Sequence, residues 1–296
     1  MTVVDKPRIT VVVVFHNMRR EARRTLYSLT DRYQRDVAAN DYEVVAIDSA
    51  SDEPLDPAWV SGLGQNFRYI RWDTSSQSPC GALNHGVECA NAPLVMCLID
   101  GARILSPGVM QYVLRASTLD EHPFIYTLAM HLGDRPQYYL VEEGYNQQRE
   151  DELLATIDWE SNGYRLFDIS CVAGSSGKGF FSPLRESNCF AMKKADYMAL
   201  GGLDTRFESP GGGLANLDFF NMVHEAGTLR PIMLLGEATF HQFHGGVATN
   251  APISRHPWNQ MVEEYQAIKG RPYAFAYHQP EYFGSIPEQS ARFLTS

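Results

Sequence analysis

The chain has 296 residues, which is enough for one large α/β domain or two small domains. A hydrophobic fraction of 44% and a charged fraction of 20% are those of a packed globular protein and exclude a disordered chain. The formal net charge of −10 argues against any overall attraction to nucleic acid or to anionic lipid.

Neither a membrane span nor a secretion signal is expected. The longest apolar run, Ile9–Phe15, is too short to cross a bilayer, and no basic start with an apolar stretch and a cleavage site precedes it. The five cysteines are scattered and form no Cys-Xaa-Xaa-Cys pair, so neither a zinc site nor a disulfide framework is indicated. We therefore expect a protein of the reducing cytoplasm with no transmembrane segment.

The first part of the chain alternates strand and helix patterns. Continuous apolar runs, often β-branched, predict strands buried on both faces over residues 9–15, 42–47, 67–72 and 94–99. Apolar residues at helical spacing predict helices over residues 20–33, 81–90 and 108–117. This alternation predicts an α/β fold of βαβ units, with a Rossmann-like, mostly parallel central sheet flanked by helices.

The second part is less regular, above all over residues 138–185. Strands are predicted over residues 124–130 and 237–240, and helices over residues 193–200 and 214–225. Prolines and aromatic residues after position 251 indicate an extended tail. Because no clean linker is present, we predict one domain over residues 1–250, with halves at 1–105 and 106–250, and a C-terminal extension over 251–296 packed on it.

Three aspartates follow the ends of predicted strands: Asp48, Asp73 and Asp100. In open parallel sheets the carboxyl ends of the strands form the edge where ligands bind, although each carboxylate could instead cap a turn. The glycine-rich motifs of dinucleotide and P-loop sites are absent from the sequence, and so is the Gly-Xaa-Ser-Xaa-Gly elbow of hydrolases. The pattern therefore favours a different ligand at this edge.

Four segments resemble family-2 glycosyltransferases of the GT-A fold. They cover residues 9–29, residues 46–52 (Ala-Ile-Asp-Ser-Ala-Ser-Asp), residues 81–86 (Gly-Ala-Leu-Asn-His-Gly) and residues 192–207. The resemblance implies transfer of a hexosyl or N-acetylhexosaminyl group from a UDP- or GDP-sugar to a hydroxyl acceptor. It makes residues 1–105 the nucleotide-binding half and residues 106–250 the acceptor half. It predicts no nucleic-acid partner and leaves a homo-oligomer open.

The same resemblance implies a set of donor-binding residues. The nucleotide pocket, the base and ribose contacts and the diphosphate contacts are assigned to Phe15, His16, Asn17, Asp48, Ser51, Asn84, Asp100 and Gly101. The family usually has a second carboxylate two residues after the one at Asp100, where this chain has Ala102. Mn²⁺ and Mg²⁺ prefer oxygen ligands, so this loss should weaken a cation site.

A replacement ligand is expected from His241 and His244. Polypeptide N-acetylgalactosaminyltransferases, which the chain also resembles in part, use a histidine at a comparable late position. We therefore predict a Mn²⁺ or Mg²⁺ site formed by Asp100, His241 and His244. The alternative is that both histidines are ordinary hydrogen-bonded side chains.

The catalytic residues are expected in residues 208–218. The family commonly has two adjacent carboxylates where this chain has Ala215 and Asn216. Asp218 is therefore the predicted base of an inverting transfer, with Glu208 as its alternative and Asn216 as a further catalytic candidate. Asp218 could instead simply place charge in the first turn of its helix. Residues 216–218 also resemble a segment of retaining enzymes, so a retaining mechanism stays open. Because Ala102 and Asn216 depart from the family pattern, a sugar-nucleotide-binding protein without transferase activity is the alternative function.

Overall fold

The computed structural model describes residues 6–295. Its strands are β1 (Ile9–Phe15), β2 (Tyr42–Ser49), β3 (Phe67–Trp72), β4 (Leu94–Leu98), β5 (Arg103–Leu105), β6 (Pro123–Leu132), β7 (Ser170–Val172), β8 (Cys189–Lys193), β9 (Arg230–His241) and β10 (Glu281–Gly284). Its α-helices are α1 (Arg19–Tyr27), α2 (Pro57–Gly62), α3 (Cys80–Glu88), α4 (Val109–Ala116), α5 (Gln137–Leu140), α6 (Gln147–Leu154), α7 (Lys194–Ala199), α8 (Ala215–Ala226) and α9 (Trp258–Lys269).

All ten strands belong to one mixed sheet. Its order is β10-β9-β6-β8-β4-β1-β2-β3, with β5 paired to β9 and β7 paired to β6. The half formed by β4, β1, β2 and β3 is parallel, whereas β8 runs antiparallel to both β4 and β6. Every residue of β1 is buried, as its continuous apolar run predicts for a strand covered on both faces. The mostly parallel α/β sheet predicted from the sequence is confirmed.

Two apolar cores lie on the opposite faces of the sheet. Helix α3 packs closely on one face because Gly86 has no side chain. A Cβ atom at Gly86 would lie 2.3 Å from Val12 Cγ1 and 2.5 Å from Ile47 Cδ1. The glycine therefore sets the distance between α3 and the strands that lead to the carboxyl edge of the sheet.

We expect Gly86→Ala to lower the free energy of unfolding by about 1–3 kcal/mol, since an extra methyl group in a filled core forces its neighbours to shift. Gly62→Ala is the matched control, because nothing lies within 4 Å of a Cβ atom at that position. Urea unfolding of both variants measures the difference. Equal stability of the two variants would show that α3 can move away from the sheet at no cost.

Several elements differ from the sequence expectation. Helix α1 ends at Tyr27 instead of residue 33, and the Ser28 and Thr30 hydroxyls there donate to the backbone carbonyls of Thr25 and Tyr27. Such local bonds compete with the helix. The segment after position 251 is not wholly extended: it contains α9, and β10 joins the sheet in parallel with β9. The division into a 1–250 domain and an extension stays a prediction.

Among the described helices, none combines the length and the apolar composition that crossing a bilayer requires.

Candidate active site

A cavity of about 940 Å³ opens at the carboxyl edge of the parallel half of the sheet. His16 follows β1, Ser49 ends β2 and Asp100 follows β4, and all three line the cavity. Their alignment follows from strand register, since Phe15 pairs with Asp48 and Val13 pairs with Leu98. The position is the one at which open α/β sheets bind ligands.

The most distinctive cluster at the cavity consists of Asp100 and His244, which line it, and the fully buried His241 next to them. The Asp100 Oδ2 atom lies 3.1 Å from Nε2 of His241, and its Oδ1 atom lies 3.8 Å from Nε2 of His244. One ligand atom from each of the three residues lies within 4.8 Å of the other two. Nitrogen and oxygen donors converging in this way suit a divalent transition-metal ion.

Gln137 determines which nitrogen of His241 faces Asp100. Its Nε2 atom donates to the backbone carbonyls of Leu132 and His241, at 3.3 and 3.0 Å, so its Oε1 atom is an acceptor. The Nδ1 atom of His241 lies 2.7 Å from that Oε1 and must therefore carry the proton. The Nε2 lone pair is left pointing toward the carboxylate, with the Thr249 hydroxyl 3.2 Å away.

The protonation states agree with this geometry. Burial lowers the pKa of His241 to about 4, so the ring is neutral at pH 7. Burial opposes ionisation of Asp100, but His244, His241 and Arg103 outweigh it and hold the pKa of the carboxyl well below its usual range. A lone pair of His241 thus faces a carboxylate oxygen at 3.1 Å. A cation between these two atoms would relieve their repulsion.

The loop that carries His244 is held by a buried amide. The Oδ1 atom of Asn250 accepts hydrogen bonds from the backbone N–H groups of His244, Gly245 and Gly246, at 3.0, 3.1 and 3.2 Å. The Nδ2 atom of Asn250 donates in turn to Gln137 Oε1 at 2.9 Å. Gln137 and Asn250 therefore orient both histidines, as outer hydrogen-bond partners do at metal sites.

Arg103 supplies a buried positive charge to the cavity. It lies on β5 with only 3% of its surface exposed, and its Nε and Nη1 atoms have no hydrogen-bond partner among the described residues. Its Nε atom lies 3.5 Å from Asp100 Oδ2. Buried donors without partners are costly, so an anion in the cavity would stabilise this side chain.

A second carboxylate, that of Glu186, also lines the cavity. It precedes β8, which runs antiparallel to β4, and Cys189 pairs with Leu98. This register brings Glu186 to the same edge as Asp100. The Nδ2 atom of Asn216, in the first turn of α8, donates to Glu186 Oε2 at 2.6 Å.

The predicted donor-binding residues separate into two groups. His16, Asn17 and Asp100 line the cavity, and the His16 ring contacts the Ser49 carbonyl at 2.6 Å through Nδ1. The others do not line it; they are Phe15, Asp48, Ser51, Asn84 and Gly101. These side chains build the walls behind the cavity.

Several of these residues make contacts that order the surrounding fold. Asp48 accepts from the backbone N–H groups of residues 51 and 55 and pairs with Arg71, so it orders the loop after β2. Phe15 is wholly buried in the core, and a Cβ atom at Gly101 would lie 2.3 Å from its ring. Asn84 donates to the Leu203 carbonyl and joins α3 to the segment after α7.

Of the predicted catalytic residues, only Asn216 lines the cavity. Asp218 is buried two residues further along α8, where the Lys269 ammonium group donates to its Oδ2 at 2.9 Å. Burial raises the pKa of Asp218, and Lys269 opposes that shift. Glu208 is exposed, and its backbone N–H donates to Glu264. The structure therefore does not bring Asp218 or Glu208 to the cavity.

Three candidate functional residues were not predicted from the sequence: Arg103, Glu186 and Gln137. Arg103 left a signal, because it is the one charged residue in the apolar run of residues 102–105. Glu186 left a weak one, an acid shortly before an apolar strand. Gln137 left none, since its role depends on a contact with His241, which lies 104 residues away in sequence.

Solved structures share the fold of this chain. TarS of S. aureus aligns with 90% of the chain and 40% of its own length, at 11% identity and a TM-score of 0.52. The mannosyltransferase PcManGT of Pyrobaculum calidifontis, in complex with GDP-Man and Mn²⁺, aligns over 91% and 66%, at 16% identity and a TM-score of 0.51. TarS residues 1–349 with UDP give 13% identity, 71% and 54% coverage and a TM-score of 0.47.

The chain thus spans from about two fifths to about two thirds of the length of these solved proteins. The two alignments with TM-scores above 0.5 confirm the predicted GT-A fold. No curated protein matches the sequence. The sequence profile described as glycosyl transferase family 2 matches residues 10–170, which is more than half of the chain. The chain therefore belongs to glycosyl transferase family 2.

Proposed function

We propose that the protein transfers a hexosyl or N-acetylhexosaminyl group from a nucleotide diphosphate sugar to a hydroxyl acceptor, with inversion at the anomeric carbon. The observation that carries the proposal is the cluster of Asp100, His241 and His244, of which Asp100 and His244 line one cavity at the carboxyl edge of the sheet. Family membership supports the reaction class. Residues 1–105 would bind the nucleotide and residues 106–250 the acceptor.

The donor set fits a divalent cation, Mn²⁺ or Mg²⁺, held by Asp100, His241 and His244. PcManGT, which shares the fold, was solved with Mn²⁺ and GDP-Man. Two nitrogen ligands favour Mn²⁺ over Mg²⁺, which prefers oxygen. A bound cation would neutralise charge that develops on the diphosphate leaving group. This imidazole pair takes the place of the carboxylate missing at Ala102, as the resemblance to polypeptide N-acetylgalactosaminyltransferases suggests.

Arg103 supports a diphosphate in the same cavity. Its guanidinium group is buried, lines the cavity and retains unbonded N–H groups. Guanidinium groups bind phosphate oxygens with two parallel hydrogen bonds, and such donors are strongest where water is excluded. We therefore assign the diphosphate to the part of the cavity that Arg103, Asp100 and His244 line. His16 and Asn17, which also line the cavity, would contact the nucleoside.

Thermal melting in the presence of nucleoside diphosphates tests this proposal. UDP or GDP at 100 times its dissociation constant should stabilise the protein by about 2.7 kcal/mol, because the ligand binds only the folded state. We expect Mn²⁺ to increase the shift, and the corresponding nucleosides, which lack the diphosphate, to produce little. A panel in which no nucleoside diphosphate moves the transition, with or without Mn²⁺, contradicts the proposal.

One observation favours a second function, that of a sugar-nucleotide-binding protein. Asn216 stands where the family commonly has a carboxylate, and an amide cannot accept a proton as a base does. The two functions differ in one measurement. A binding protein would keep UDP-GlcNAc or GDP-mannose intact, whereas a transferase releases the nucleoside diphosphate slowly to water.

A further inference from the structure

Two carboxylates line the cavity among the described residues: Asp100 and Glu186. Asp100 faces two histidine nitrogens, so its oxygens are directed to the cation site. Glu186 lies near enough to Arg103 for their charges to interact, and next to the first turn of α8. We propose that Glu186 is the base that takes the proton of the acceptor hydroxyl. This inference rests on the proposed function.

The contacts of Glu186 leave it able to accept a further hydrogen bond. Asn216 donates to Oε2 at 2.6 Å, and the Ser175 hydroxyl also interacts with the carboxyl group. An ionised carboxylate has about four acceptor positions, so these two partners do not exhaust it. Asn216 therefore holds the carboxylate in place and leaves lone pairs for a hydroxyl group that enters the cavity.

The position of Asn216 explains how the family pattern can change without loss of a base. An amide replaces the usual carboxylate at the start of α8, and its N–H group now donates to a carboxylate from the neighbouring segment before β8. The carboxylate therefore lies on the segment before β8 instead of on α8, at 2.6 Å from the amide of Asn216. Asp218, by contrast, forms an ion pair with Lys269 outside the cavity.

The electrostatic environment agrees with this role. Burial raises the pKa of Glu186, whereas Ser175, Arg103 and Asn216 act in the opposite direction. A base with a raised pKa takes a proton more readily than an exposed glutamate, and it stays ionised as long as its pKa is below the working pH. Arg103 favours the ionised form of both Glu186 and Asp100, whereas the charge of Asp100 acts with burial to raise the pKa of Glu186.

In the proposed step, one bond forms at the anomeric carbon as another breaks. The acceptor oxygen forms a bond to the anomeric carbon of the donor while the bond from that carbon to the diphosphate oxygen breaks. The electron pair of the broken bond stays on the diphosphate, near Arg103. The acceptor proton passes to Glu186, which returns it to solvent after the product leaves.

Hydrolysis of the donor by water tests the assignment, because water fits wherever a hydroxyl acceptor fits. We expect Glu186→Gln to lower the turnover of a UDP- or GDP-sugar about 10²–10⁴-fold, the usual contribution of a general base. Binding of the nucleoside diphosphate with Mn²⁺, measured on the same samples, should stay within a few-fold of the wild type. The matched control is Glu121→Gln, at an exposed position in the loop before β6.

A second variant separates proton transfer from a structural effect. Glu186→Ala should lose turnover to a similar extent and regain part of it in added formate, which can occupy the space of the missing carboxylate. The wild-type rate should also fall as the pH drops through the pKa of Glu186, and this dependence should vanish in Glu186→Gln.

Failure of the proposed function and failure of the role of Glu186 give different results. A wild-type protein that binds no nucleoside diphosphate contradicts the proposed function itself. If nucleotides bind, full turnover in Glu186→Gln would overturn the role of Glu186, and so would a loss confined to Asp218→Asn. A wild-type protein that binds the donor and leaves it intact in water for days would overturn it as well.

Discussion

Replacing Asp100 with Ala should abolish the manganese-dependent part of nucleotide binding. The carboxylate is the one anionic ligand of the cluster, and it lies within 3.8 Å of both histidine nitrogens. Loss of a mere outer hydrogen-bond partner typically costs 10- to 100-fold in metal affinity, so loss of a direct ligand should cost more than about 100-fold. Nucleotide affinity without metal should change far less.

Calorimetric titration of the nucleoside diphosphate with Mn²⁺ and with a chelator gives both quantities. His241→Ala should behave like Asp100→Ala, because Nε2 of His241 is the nearer of the two histidine nitrogens to the carboxylate. His122→Ala is the control, since this exposed histidine pairs with Asp196 away from the cavity. Equal wild-type affinities in Mn²⁺ and in chelator would instead show that the site works without a cation.

The contribution of Glu237 to the stability of the protein should fall as the pH rises from about 4.5 to 7. Its side chain is fully buried, and burial raises its pKa to about 7 although Ser106, Tyr164 and the Gly108 backbone N–H donate to it. The raised pKa means that the folded state holds this proton to a higher pH than the unfolded state does. The stabilisation is complete below about 4.5 and is lost through pH 7, a difference of about 3 kcal/mol.

Urea unfolding of Glu237→Gln between pH 4.5 and 8 measures this contribution. The amide cannot ionise, so the variant should be less stable than the wild type at low pH, where it mispairs with three donors, and should lose less stability as the pH rises. Glu150, whose pKa burial also raises to about 7, should keep part of the dependence in the variant. Parallel curves for wild type and Glu237→Gln would contradict the role of Glu237, and Glu121→Gln serves as the exposed control.

The sequence predicted those elements whose pattern is local. β1 matches its predicted bounds, and β2, β3 and β4 match within two residues, because an uninterrupted apolar run needs no partner to be recognised. Strands β5, β7, β8 and β10 were missed, since they are three to five residues long and are defined by their pairing. Helix α9 was missed because only two of its residues, Met261 and Tyr265, are buried, which leaves little periodic signal.

The residues of the site, too, were predicted only where a local pattern marks them. Asp100 was predicted from a single strand end, and its neighbours depend on which distant segment folds beside it. Phe15 was expected at the cavity, but six of the seven residues of β1 are apolar, so alternation gives little sign of which face each side chain takes. Glu186 reaches the cavity only through the antiparallel register of β8 with β4, which no local pattern reveals.

The order of strands in the sheet has a consequence for synthesis of the chain on the ribosome. All ten residues of β6 are buried, yet β9, which covers one edge of β6 and also pairs with β5, begins about a hundred residues later. A nascent chain that has reached α8 therefore holds the complete parallel half but presents a long apolar edge, the kind of surface that binds other chains. His241 is the last residue of β9, the strand that covers this edge. The chain therefore completes the proposed set of cation ligands only when the edge that favours aggregation is covered.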